Sequence, residues 1–455
     1  MSETFKMPGL SRRNLLRAAA ILPLAASGLM RRASAQTAEM PPVLFVHGNG
    51  DSAALWQTQI WRMESNAVPR DRLAALNFTD PLARTDDTVP QPNRSSTEDQ
   101  RRELAEAIAA LRQRTGAPKV ALVANSRGGY AVRNYIKSGG ADVSHAVLTG
   151  VPNHGVYAWD EGLNGEFNGR GPFLQKLNAG ETEATPGTAF LTLRSDGMDK
   201  YAQPDGRFAG KPGTPTNVTF DGPALTGATN LVLGPLDHRE VGFHSRAFRE
   251  MFKFIAGREP TRIDIAPEAS VTISGLVTGT PGGVQTNRPV ADASVEVFRV
   301  GADGARAGEA VYRGKTAADG RWGPAKVESG WPLEIVLTSQ GAPTTHLYRS
   351  PVPRSSDVVH LRAARPFGPA DKDAGAVVLF SRPRGYFGLP RDVVLFDGKE
   401  PADVKSGVPT DALATLRLPA ADVGRAVVGL FNTERVVARA WPATDNHISI
   451  AELTY

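Results

Sequence analysis

From Pro42 to about Gly257, short continuous apolar runs alternate with longer amphipathic ones, the grammar of an α/β domain on a mostly parallel sheet. The runs 43–46, 73–78, 120–124, 146–149, 189–193 and 231–233 are apolar at successive positions, which predicts six strands covered on both faces. Between them, residues 97–114 carry Leu104, Ala107, Ile108 and Leu111 at helical spacing, with Thr97 and acidic residues at the start as an N-terminal cap. Residues 243–255 predict a second helix that closes the domain. The spans 80–96 and 156–187 show no period and are rich in Pro, Gly, Asn and charge, so long loops over one end of the sheet are expected there.

After Gly257 helical periodicity stops, and short runs bounded by Gly, Pro and Asp take over. Runs at 271–278, 293–300, 310–316 and 333–338 predict a β-sandwich at 261–365. Runs at 376–380, 393–396, 414–418, 426–430, 436–440 and 448–453 predict a second β module at 366–455, with 365–373 as the linker. The same pattern is compatible with one composite β domain.

Composition agrees with a folded chain of several units. Of 455 residues, 41% are hydrophobic and 22% charged, enough for a core, and the 46 Gly and 34 Pro suit many short strands better than a helical bundle. The net charge of +5 invites a nucleic-acid reading, but its location removes it. Residues 1–35 hold Lys6, Arg12, Arg13, Arg17, Arg31 and Arg32 against Glu3 alone, so the remaining 420 residues balance at 46 basic and 46 acidic. No basic footprint for a phosphate backbone is left.

That segment reads S-R-R-N-L-L at Ser11 to Leu16, then an apolar stretch to Met30, then Ala33-Ser34-Ala35. It resembles a twin-arginine export signal at residues 1–35, which implies recognition by the twin-arginine machinery and a periplasmic or secreted protein. Pro23 and Gly28 interrupt the apolar run, which is too short for a membrane anchor. The chain has no cysteine, so disulfides, zinc-thiolate sites and a cysteine nucleophile are excluded. His, Asp and Glu form no ligand-like cluster, and neither a metal nor an organic cofactor is expected.

The chemistry concentrates in V-A-L-V-A-N-S-R-G-G-Y at Val120 to Tyr130: an apolar strand, Ser126, then two glycines opening a helix. This is the pattern of a nucleophile elbow, in which the serine sits on a sharp strand-to-helix turn and its neighbours two positions away, Ala124 and Gly128, must be small. The first strand ends in H-G-N-G at His47 to Gly50, where glycines let backbone amides face a ligand. In a hydrolase the amides of Asn49 and Arg127 would then form the oxyanion hole.

Residues 42–257 resemble an α/β-hydrolase of the secreted bacterial lipase type, lipase class 2. The resemblance rests on F-V-H-G-N-G, A-N-S-R-G-G-Y, V-P-N-H-G at Val151 to Gly155, and a late D-H before the last helix. The departure is Asn125 and Arg127, where such lipases commonly carry His and Met. It implies an α/β-hydrolase domain at 36–260 and the superfamily order serine, acid, histidine. The histidine must come late, which leaves His238 and His244; His238 stands directly after the last strand, where the family places its base. For the acid, the loop after the fifth strand offers Asp199, in a G-x-D loop, and Asp196, better suited to a turn. Asp237 adjoins His238 and is poorly placed to reach its ring.

The loop after residue 156 brings Tyr157, Trp159, Phe167, Phe173 and Leu174 near the site, and Tyr157, Trp159 and Phe173 are the expected acyl-pocket residues. V-T-I-S-G-L-V-T-G and T-A-A-D-G-R-W resemble the transthyretin-like or carboxypeptidase-regulatory sandwich, a likeness of fold only. By analogy with larger lipases, the β modules are expected to seat long acyl chains or bind an insoluble substrate surface. Together these readings point to an exported serine carboxylic-ester hydrolase acting on acyl esters or lipids. A polyester depolymerase is the nearest alternative, and a non-catalytic binding protein on a hydrolase scaffold the alternative of another class.

Overall fold

Six strands make the sheet that carries the site, in a computed structural model that describes Met1 and residues 40–455. The twin-arginine reading falls on residues outside that description, Met1 apart. The strands are β1 (Val43–Val46), β2 (Leu73–Leu76), β3 (Val120–Asn125), β4 (Val143–Thr149), β5 (Ala189–Arg194) and β6 (Thr229–Val232), in the order β2-β1-β3-β4-β5-β6. All neighbours run parallel, with Val46 opposite Ala124 and Ala124 opposite Leu148. β3 is buried along its whole length, which is why it reads as an unbroken apolar run.

Six helices accompany them: α1 (Gln57–Ser65), α2 (Thr97–Thr115), α3 (Arg127–Lys137), α4 (Pro172–Asn178), α5 (Glu240–Phe243) and α6 (Ser245–Ala256). α2 begins one residue off the expected cap. Ser96 Oγ accepts the Asp99 amide at 3.1 Å while Thr97 Oγ1 donates to Asp87 at 2.6 Å, so Ser96 is the cap, in a capping box with Asp99. The predicted closing helix is two helices split at His244, whose backbone is extended and whose Nδ1 accepts the Arg246 amide. α1 left no signal because Gln57 to Met63 are all buried, and a helix covered on every side shows no polar face.

The β region holds β7 (Ser270–Thr278), β8 (Ser294–Arg299), β9 (Tyr312–Lys315), β10 (Arg321–Glu328), β11 (Leu333–Thr338), β12 (Thr344–Arg349), β13 (Leu361–Arg362), β14 (Ala376–Ser381), β15 (Val394–Phe396), β16 (Leu413–Leu418), β17 (Ala426–Phe431), β18 (Glu434–Arg439) and β19 (His447–Glu452). Three of these escape the pattern, among them β13, which is only two residues long. β10 contains Gly323 and Pro324, where the pairing with β7 shifts register, and β12 is buried at nearly every position, so neither alternates cleanly.

A seven-stranded sheet in the order β16-β14-β19-β12-β11-β8-β9 takes strands from both sides of residue 365. Its seam is the parallel pair β12 and β19, with Thr345 opposite Ile448. Three-stranded sheets β10-β7-β13 and β15-β17-β18 complete the region. Residues 41–455 pack as one compact unit; Trp61 of α1 is buried in the β7–β8 core and donates its indole N–H to Ser355 O at 2.9 Å. Among the described residues no helix is long and apolar enough to cross a membrane.

Candidate active site

β3 and α3 meet at Ser126, whose backbone stands at φ 52°, ψ −129°, a conformation that side-chain-bearing residues rarely adopt. The turn is pinned by the Ser126 amide, which donates to Thr149 O of β4 at 3.0 Å. It also lies hard against the end of β1: a Cβ on Gly128 would stand 2.5 Å from His47 O, and one on Gly48 would stand 2.8 Å from Ser126 Cβ. Glycine at both places is a steric requirement. Among the described hydrogen bonds none engages Ser126 Oγ.

The late histidine arrives from the loop between β6 and α5. His238 is buried, and its Nδ1 pairs with Asp199 Oδ2 at 2.9 Å. Asp199 is itself oriented: its other oxygen accepts the Tyr201 amide at 2.8 Å, and Gln203 donates to its carbonyl at 2.7 Å. The Tyr201 ring meets the imidazole edge-on with centroids 4.6 Å apart. Asp196 accepts from the Met198 amide at 3.2 Å in the turn just before. Asp237 points away from the ring toward the amides of Arg239 and Glu240.

Asn49 lines the cavity over Ser126 and Arg127 follows the serine as the first residue of α3; among the described hydrogen bonds neither backbone amide has an acceptor. The Asn49 side chain is committed, since its Oδ1 accepts the Ala83 amide at 2.8 Å. His47 lies behind this loop, fully buried. Its Nδ1 donates to Gly48 O at 2.9 Å and its Nε2 accepts the Phe78 amide at 3.1 Å, and burial pulls its pKa down to about 4. It is a neutral brace.

A cavity of about 310 Å³ opens over the serine, lined by Ser126, His238, Asn49, Tyr157, Phe167 and Tyr386 among others. A second, of about 340 Å³, lies against the other side of His238 and includes Asp199, Asn153, Asn217 and Phe220. Of the expected pocket residues, Tyr157 lines the first cavity. Trp159 stacks on Tyr157 with ring centroids 4.3 Å apart and borders an outer surface hollow instead. Phe173 lies on α4, which turns its ring edge-on to Tyr130 at 5.8 Å in a small core, and Phe167 takes the place expected of it.

Three features of the site had no counterpart in the sequence reading. The first concerns the two residues that depart from the lipase pattern. Asn125 Nδ2 donates to Thr149 O at 2.9 Å and to His238 O at 3.2 Å, tying the histidine loop to the elbow. The Arg127 guanidinium, fully buried, pairs with both oxygens of Glu166 and donates to Pro81 O, Ser95 Oγ and Ser95 O, so one side chain fastens both long loops to the elbow.

The second is a buried charge cluster beneath the histidine. Arg382, just after β14, donates to Asp237 Oδ2 at 3.1 Å and to Glu240 Oε1 at 2.6 Å, and Arg391 donates to Glu240 Oε2 at 2.7 Å. Burial, reinforced by the Glu240 charge, pushes Asp237 up to about 6, whereas Arg382 and Arg391 outweigh burial and hold Glu240 below the usual carboxylate range. The third is Tyr386, a cavity wall supplied from beyond β14; Lys200 stands 3.8 Å over its ring, and burial draws that ammonium down to about 8. Among the described residues no cluster of His, Asp and Glu has the form of a metal site.

A parallel sheet with an elbow serine at the end of β3 and a carboxylate-held histidine after β6 defines an α/β-hydrolase. Residues 40–170 match the lipase (class 2) family and residues 269–366 match the lipase C-terminal domain, so the hydrolase sheet and the β region each resemble part of a lipase. No curated relative matches it. Among solved structures, Aspergillus fumigatus lipase B is 15% identical over 49% of this chain and 54% of that one, with a TM-score of 0.34. Bacillus licheniformis lipase BlEst2 in mature form is 21% identical over 48% and 92%, also at 0.34. Phospholipase PlaB from Legionella pneumophila is 13% identical over 71% and 94%, at 0.31. The chain thus spans about half the length of the Aspergillus protein.

Proposed function

We propose that the protein is an exported serine carboxylic-ester hydrolase, a lipase or esterase that works through an acyl-enzyme. One observation carries the reading: Ser126, strained at φ 52°, and His238, held by Asp199 at 2.9 Å, line the same cavity. His238 takes the Ser126 proton as the oxygen attacks the ester carbonyl, and the Asn49 and Arg127 amides receive the oxyanion. The imidazolium hands the proton to the departing alcohol. Water, activated by the same ring, then releases the acid and restores the serine. Asp199 keeps the Nδ1 proton in place and offsets the imidazolium charge throughout.

The cavity over Ser126 is walled by Val156, Tyr157, Phe167 and Phe208, an apolar set suited to an acyl chain. Export by the twin-arginine route to the periplasm or beyond belongs to the same proposal, on the residue 1–35 pattern.

The test is a fluorophosphonate. It should add to Ser126, and Ser126→Ala should abolish turnover of p-nitrophenyl esters and lose the label. Absence of the label, together with ester turnover indifferent to Ser126→Ala, would hand the scaffold to the binding reading.

A further inference from the structure

The loop between β7 and β8 reaches across to the catalytic sheet and grips the segment that follows the Asn49 amide. Gln285 Nε2 donates to Gly50 O at 2.5 Å. Asn287, buried, gives its side-chain N–H groups to Asp51 O and Phe78 O, both at 2.9 Å, and its backbone amide to Thr79 O at 2.9 Å. Arg288 closes the grip with a two-point contact to Asp80, at 2.9 and 2.7 Å. Gln285, Asn287 and Arg288 do not line the cavity over Ser126, whereas Asp51, which Asn287 holds, does.

We propose that this strap is part of the catalytic apparatus, and that Gln285 and Asn287 are positioning residues for the oxyanion hole. Loop 48–51 contains Gly48 and Gly50, so its backbone is intrinsically free to turn; apart from the strap it is held by Gly50 N to Pro81 O at 3.1 Å, a long Asp51 N to Gly48 O contact at 3.4 Å, His47 Nδ1 to Gly48 O at 2.9 Å, the Ala83 amide to Asn49 Oδ1 at 2.8 Å and Arg239 to the Asp51 carboxylate at 3.3 Å, none of which holds Gly50 O or Asp51 O. An oxyanion donor works only when its N–H is aimed at the place where charge develops, within a few tenths of an ångström. The strap holds Gly50 O and Asp51 O, in the second and third peptides after the one that carries the Asn49 amide, and so anchors the downstream end of the loop that aims that amide. The role expected of a lipase β domain is to meet substrate. These two residues instead act from behind the site, on every substrate alike.

The inference rests on the hydrolase reading above, and the test separates the two. Full-length wild type, Ser126→Ala, Gln285→Ala and Asn287→Ala are assayed on a short, soluble p-nitrophenyl ester, together with inhibition by an alkyl boronate, whose tetrahedral adduct places an oxygen in the hole. The strap requires kcat to fall about tenfold or more, KM to stay within about twofold, and boronate affinity to weaken in step with kcat/KM. A merely structural loss would lower the melting temperature and the active fraction but leave boronate affinity of the folded enzyme unchanged. Should Asn287→Ala fail to fold, the half-buried Gln285→Ala decides. Ser126-dependent turnover with unchanged kcat and boronate affinity in the folded variants overturns the strap alone, whereas wild type without Ser126-dependent turnover overturns both readings.

Discussion

The Arg382 guanidinium and the Asp237 carboxylate, 145 positions apart, meet at 3.1 Å with neither side chain open to solvent. Asp237 immediately precedes His238, so the loop that presents the imidazole stands on a charge supplied from the end of β14 in the β region. Replacing Arg382 by Met leaves Asp237 and the nearby Glu240 buried and short of a counter-charge. Breaking a buried pair in this way costs about 3–5 kcal/mol. The urea midpoint of Arg382→Met should therefore drop well below that of wild type, with ester turnover falling as the histidine loop loosens. A midpoint equal to wild type would mean that the cluster contributes nothing.

The loop after β5 offers two carboxylates three residues apart, and only Asp199 meets the ring. Asp199→Asn should lower kcat by about three to four orders of magnitude, because the amide no longer holds the productive tautomer or balances the imidazolium. Asp196→Asn, altering only a turn, should stay within about twofold. Steady-state rates on one soluble ester distinguish them, and comparable losses in both variants would contradict this assignment.

Phe167 and Phe173 lie six residues apart and do different work. Phe167→Ala enlarges the cavity over Ser126 and should shift preference among p-nitrophenyl esters toward longer or bulkier acyl groups. Phe173→Ala removes a ring packed on Tyr130 and should cost about 2–4 kcal/mol of stability with the acyl profile unchanged. A chain-length series and a thermal melt on each variant check the pair; an altered profile in Phe173→Ala alone would reverse the assignment.

His47 makes stability pH-dependent. The unfolded chain binds a proton on this ring near pH 6.5, but the folded protein resists until about pH 4, because burial opposes the charge and Nε2 is already accepting the Phe78 amide. Unfolding thus takes up a proton between those values, and stability falls as the pH drops below 6.5. The contribution from pH 7 to pH 5 is about 2 kcal/mol. Urea midpoints at the two pH values should differ accordingly, and His47→Gln should shrink the difference; an undiminished difference in the variant would assign the effect to other groups.

Much of the architecture was legible because it is local. Covered parallel strands show as unbroken apolar runs, and all six strands were visible within a few residues of their true ends, although the two edge strands are not covered on both faces: β2 is only partly buried and β6 is mostly exposed. The elbow was legible for a related reason: a backbone at positive φ with β1 pressed against it tolerates only small neighbours, and that demand is written at Ala124 and Gly128. What failed to show carries neither an unbroken apolar run nor a clean alternation. α1 is covered on all sides, β10 is interrupted by Gly323 and Pro324, and β12 is buried in the middle of a sheet, so none carries a period.

The chain alone determined the sheet, the bend at Ser126 and the order in which serine, acid and histidine follow one another, since each depends on residues adjacent in sequence. Tertiary structure decided which aspartate meets His238, that Arg127 fastens two loops through Glu166 and Ser95, and that Asn287 and Arg382 brace the two sides of the site from the β region. Those are pairings across 32 to 236 positions. Hydrogen bonds and ion pairs act over a few ångströms in space whatever the separation along the chain, so nothing in the neighbouring residues records them.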